Sequence, residues 1–134
     1  MDEEVVVALQ QVLLDGKPMT AGQERRLLPG LDVAAYDRLH FHISAGNRGI
    51  EKMHTRILFG TPLQGVTLLA DSTVWFEDSV SEREFSFETP ASYGGTGFVM
   101  SVPVVAPLLY DVILRNTGAS DKPNIYVTVL AQEI

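Results

Sequence analysis

From about residue 30 onward, apolar side chains return at every second position, and this period of two constrains the fold more than any other feature of the chain. In "REFSFE", Phe85 and Phe87 share one side against Glu84, Ser86 and Glu88. "MHTRILF" sets Met53, Thr55, Ile57 and Phe59 against His54 and Arg56. "LLYDVILRN" groups Leu108, Tyr110, Val112 and Leu114, and "NIYVTVLAQ" groups Ile125, Val127, Val129 and Ala131. A strand turns successive side chains to opposite faces, so these segments read as half-buried strands with one side to a core. Turn-rich pieces separate them: "GNRG" at 46–49, "GTPLQG" at 60–65, "TPASYGGTG" at 89–97 and "TGASDKP" at 117–123. Pro103 and Pro107 bracket "VVA" and, lacking an N–H, mark strand ends.

The N-terminal "EEVVVALQQVLLDGKPMTAGQERRLLPG" is less plain. Val5, Leu9, Val12 and Leu13 fit one helix face, yet the β-branched triplet Val5–Val7 disfavours a helix. "DGKP" reads as a turn that returns the chain through "QERRLL". We expect a long strand and then a second. The sum is an all-β antiparallel β-sandwich of jelly-roll type with eight or nine strands. No internal repeat or break in composition divides residues 1–134, so one sandwich domain is expected.

Composition excludes several function classes. Hydrophobic residues make up 46% of the chain, enough for a packed core and too many for a disordered one. No apolar run approaches the roughly 18 residues of a membrane helix, and the acidic start "MDEE" lacks the basic region of a leader. The chain is expected to be soluble and unprocessed. Its net charge of −7 argues against nucleic acid as a partner, because phosphate backbones are held mainly by Lys and Arg. With no cysteine there is no disulfide, thiolate nucleophile or cysteine-ligated zinc, and the compartment stays undetermined.

"LDVAAYDRLHFHISA", residues 31–45, resembles the opening strand of jelly-roll carbohydrate-binding modules of the galactose-binding-like kind. "NIYVTVLAQEI" is similar to their last strand, which ends the domain beside the first. The resemblance implies that Tyr36 tucks under the sheet corner and that Leu39, Phe41 and Ile43 enter the core. It also implies a binding role, with carbohydrate as a candidate ligand.

Candidate chemistry centres on "LHFHI". His40 and His42 lie two residues apart on the face opposite Leu39, Phe41 and Ile43. A His-x-His pair on a barrel strand is how cupin-type metal sites begin, because alternate residues send both imidazoles to the same side. The following acid of such sites is missing here: the next is Glu51, beyond a turn, and no histidine follows His54. A hairpin of 38–45 with 53–59 would set His42 opposite Arg56 with His54 diagonal to it, and a guanidinium beside a divalent cation costs Coulomb energy. The expectation is therefore a solvent or subunit-contact face, with a metal site at His40, His42 and His54 as the sharper alternative.

Other motifs are weaker. "YGGTGF" lacks the helix and lysine of a phosphate loop and reads as a hairpin loop with Tyr93 at its tip. Glu77, Asp78, Glu82 and Glu84 crowd one charged stretch, whereas glycoside hydrolysis needs carboxylates flanking a cleft. Trp75 and Phe76 must face opposite ways, one to the core and the other free to meet a sugar or a subunit. No nucleophile elbow or Ser/His/Asp set can be picked out, and nothing calls for a cofactor. The expected function is a non-catalytic binding or interaction module that self-associates, because Val5–Leu14 and part of Ile125–Leu130 are apolar on both sides. A carbohydrate-binding module using Tyr93, Trp75 and Tyr36 is the alternative, and a cupin-like enzyme the second.

Overall fold

The computed structural model describes residues 6–46, 49–62, 80–90 and 95–133, and among these there is no helix. Nine strands run in chain order: β1 (Val6–Met19), β2 (Glu24–Arg26), β3 (Leu31–Asp32), β4 (Arg38–Ser44), β5 (Met53–Pro62), β6 (Val80–Glu88), β7 (Gly97–Pro103), β8 (Leu108–Asn116) and β9 (Lys122–Glu133). They form two antiparallel sheets, one ordered β1-β9-β4-β7 and the other β2-β8-β5-β6, with β3 also on β8. Apart from β2 to β3 and the β5–β6 hairpin, each connection passes from one sheet to the other. This is the jelly-roll order, and it sets the last strand beside the first.

The inward alternation holds on both sheets. Leu39, Phe41 and Ile43 of β4, Ile125, Val127 and Val129 of β9, and Met53, Ile57 and Phe59 of β5 belong to one buried cluster. Thr55 and Met100 are buried beside them. The Phe59 and Phe85 rings meet edge to face, with centroids 6.0 Å apart, a favourable aromatic geometry.

Three expectations need correction. The strands at 38–44 and 53–62 are not a hairpin: β4 pairs with β7 and β9, and β5 with β6 and β8. Each has one apolar face, so they bury those faces across the core from each other rather than side by side. "DGKP" does not turn the chain. β1 continues through it, pairing Asp15 with Tyr126, Lys17 with Ile125 and Met19 with Lys122, with register shifts that absorb Gly16 and Pro18. The turn comes at 20–23, where Gln23 N–H donates to Thr20 O at 3.0 Å. Gly16 is needed in that bulge. Its φ is +66°, and a Cβ there would stand 3.2 Å from the Tyr126 ring and hydroxyl.

The third correction concerns β8, expected to be half-buried but buried on both faces from Leu108 to Leu114. Phe59 pairs with Leu109 and Leu58 with Asp111, so Tyr110 is the extra residue of a bulge. The bulge shifts the alternation: Leu109, Val112 and Leu114 join the core cluster, while Tyr110 is buried outside it. Asp111, 0% exposed, accepts from Arg26 Nε at 2.9 Å and from the Leu28 N–H at 2.9 Å. Those bonds hold Leu28 at a φ of +45°, which a branched side chain adopts only under constraint.

Candidate binding face

The register of the β1-β9-β4-β7 sheet sets its outward residues in rows across four strands. Val12, Thr128, His42 and Val99 form one; Gln10, Leu130, His40 and Ser101 the next; Asp15, Tyr126, Ser44 and Gly97 a third. At about 4.8 Å between strands, Val12 and Val99 stand some 14 Å apart with Thr128 and His42 between them. Val12 is 55% exposed, Val99 54% and Tyr126 40%. Of the twelve residues in these rows only Asp15 carries a fixed charge. The Tyr126 ring lies over the Gly16 bulge at the sheet surface.

The two histidines of β4 have different surroundings. His40 is half-buried, with Nδ1 2.7 Å from Ser101 Oγ and Nε2 against Gln132 Oε1. An amide oxygen only accepts, so the neutral ring carries its proton on Nε2 and Nδ1 accepts from the serine hydroxyl. Both ring nitrogens are thus engaged by protein groups, and a metal would have to displace one of them. His42 is exposed on the same face. His54 lies on the outer side of the other sheet, opposite Glu88 and Arg115. The fold therefore separates His54 from His40 and His42, and among the described residues no three metal-ligating side chains come together.

Tyr36, in the turn before β4, is half-buried against the core, and its N–H donates to Val33 O at 3.1 Å. Tyr93, Trp75, Glu77 and Asp78 lie outside the described residues. Glu84 is paired with Arg56, Oε2 to Nε at 2.6 Å, on the outer side of β6 and β5. The guanidinium holds this carboxyl below the ordinary carboxylate range; slight burial works against that shift, and the Ser86 hydroxyl reinforces it.

Val12, Val99 and Tyr126 were not singled out by sequence as site residues, although for Val12 and Tyr126 the two-sided apolar character of their segments was the signal. In β1, bulges hid the outward positions. Val12 faces out while Leu13 and Leu14 both pack on the core, because a register shift between Val12 and Leu14 admits the extra residue.

No known protein family and no curated protein matches the sequence. Solved structures give matches of low identity. A carbohydrate-binding module from a family 9 glycoside hydrolase (Cel9A) of Ruminococcus flavefaciens is 13% identical, over 90% of this chain and 99% of that one, with a TM-score of 0.41. The apo first carbohydrate-binding module of BiXyn10A is 14% identical over 93% of this chain, which spans 62% of that one, with a TM-score of 0.31. The tomato aspermy virus structure is 12% identical over all of this chain and 81% of that one, with a TM-score of 0.38. What those proteins bind is a property of theirs.

Proposed function

We propose that the protein is a non-catalytic binding module that docks on a partner surface, in the first place a second copy of itself, through the outer face of the β1-β9-β4-β7 sheet. One observation carries this reading: the row Val12–Thr128–His42–Val99 is open to solvent, apolar at both ends and free of fixed charge. Covering the exposed half of each valine yields about 1 kcal/mol. A chain of net charge −7 repels its own copies, and they approach with least penalty where carboxylates are fewest. A two-fold pairing would present each such row twice.

The test is the solution mass by light scattering and sedimentation at submillimolar concentration. The reading expects a multiple of 14.7 kDa for the native chain and monomer for the Val12→Lys/Val99→Lys variant, with unchanged circular dichroism. A native chain that stays monomeric would overturn self-association.

Tyr126 supports carbohydrate as a second reading. It is an exposed aromatic at a sheet surface, with Asp15 and Ser44 in its row to meet sugar hydroxyls. Soluble polysaccharides that raise the melting temperature of the native chain and not of Tyr126→Ala would favour it.

A further inference from the structure

The connections β4–β5 and β8–β9 enclose an open cleft of about 370 Å³ lined by Glu51, Lys52, Thr117–Ser120 and Lys122. Its volume falls in the range of small-molecule sites. Lys122 is only 4% exposed. Its Nζ donates to Gly49 O at 2.9 Å and pairs with Glu51 Oε2 at 3.5 Å, so among the described residues its partners are one carbonyl and one carboxylate.

Lys52 is positioned with equal care. It holds a φ of +61°, a left-handed conformation that a lysine rarely takes. Three hydrogen bonds keep it there: its N–H donates to Thr89 O, and its carbonyl accepts from the N–H and the hydroxyl of Thr117, each at 2.9 Å. Gly118 packs on its stem; a Cβ at 118 would lie 3.2 Å from Lys52 Cβ. The buried Asn116 ties down the rest of the loop, accepting from Gly118 N–H at 3.1 Å and donating to Ser120 O at 2.8 Å. Among the described residues no acceptor meets the N–H of Ala119 or Ser120, or the Lys52 ammonium.

Two of the nearby acids already have partners, and a third stands by a hydroxyl. Glu51 sits by Lys122, Asp121 accepts from Ala21 N–H at 2.9 Å, and Glu88 lies 3.1 Å from the Thr117 hydroxyl. We propose that this cleft binds a small oxyanion (phosphate, sulfate or carboxylate), with Lys52 and Lys122 supplying charge and the 119–120 amides supplying donors. The site lies at the loop end of the sandwich and is independent of the sheet face discussed above.

The experiment is titration calorimetry of the full chain with inorganic phosphate and with glucose 6-phosphate, against chloride at matched ionic strength. Lys52→Asn is the variant of choice, because asparagine accepts the left-handed conformation and leaves the loop intact. Saturable binding to the native chain, weakened at least tenfold in Lys52→Asn, is expected, and Val12→Lys/Val99→Lys should bind as the native chain does. Tighter binding of the ester would mean that the cleft takes an anion carried on a hydroxylated body, and equal binding a free ion. No binding beyond chloride, or undiminished binding in Lys52→Asn, overturns the proposal.

Discussion

The two sheets bury similar inward faces and present opposite outward ones. On the β2-β8-β5-β6 sheet the outward rows read Glu24–Arg115–His54–Glu88 and Arg26–Ile113–Arg56–Ser86, so Glu24 lies beside Arg115, and Arg56 pairs with Glu84. On the β1-β9-β4-β7 sheet the corresponding rows hold Val12, Thr128, His42 and Val99, then Gln10, Leu130, His40 and Ser101. Opposite charges on adjacent strands satisfy one another and leave a face that is content with water. Valine, leucine and tyrosine at the same kind of position gain nothing from water and something from cover. The docking proposal rests on this difference between the two outer faces, the closed one of β2-β8-β5-β6 and the open one of β1-β9-β4-β7.

The largest effect expected from testing that contrast is at Asp111, the anchor of the closed side. It is fully buried and serves both Arg26 and the backbone of Leu28. Asp111→Ala removes the acceptor of the Leu28 N–H and releases its left-handed turn, at a cost of about 3 kcal/mol. By calorimetry the melting temperature should fall by roughly 10 °C. A fall no greater than that of a surface substitution would mean that the closed face is not held by this pair.

On the open face, the two histidines should separate. His40→Ala leaves Ser101 and Gln132 without their partner and should cost about 1–2 kcal/mol in denaturant unfolding. His42→Ala should change stability by less than about 0.5 kcal/mol, because its ring is exposed. The reading is sharpened if His42→Ala instead changes the solution mass, since that assigns the residue to docking and not to folding. Equal costs for the two would break it.

The alternation that makes these faces was legible in the residues themselves. Met53, Thr55, Ile57 and Phe59 turn inward as the spacing requires, and so do Leu39, Phe41 and Ile43. What could not be read was which strand lies beside which. Period two fixes a strand's faces but not its neighbours, so β4 and β5 looked like a hairpin although the chain crosses between sheets. Bulges were equally invisible. The one in β8 turns Tyr110 out of the core series, and those in β1 make "VVVALQQVLL" look apolar on both sides when Leu13 and Leu14 both serve the core. The cleft at the loop end escaped for another reason: Lys52 and Lys122 are seventy residues apart, and only the crossing connections bring them to one place.

The smallest expected effect tests whether charge on the closed face contributes at all. Arg56 and Glu84 are both about a third exposed, so solvent screens the pair and its removal by Glu84→Gln should cost about 0.5 kcal/mol at neutral pH. The pH dependence identifies the source. Arg56 lowers the Glu84 carboxyl below its ordinary value, so the folded state binds that proton less readily than the unfolded chain does. The contribution is then complete above the unfolded carboxylate range and is lost as pH falls through the lowered folded value. The melting temperatures of the native chain and Glu84→Gln should therefore converge in acid, and also in high salt, while remaining apart near neutrality at low salt. A gap that persists unchanged into acid would assign the difference to packing of the side chain, and the closed face would then owe its stability to Asp111 and the core rather than to its surface charges.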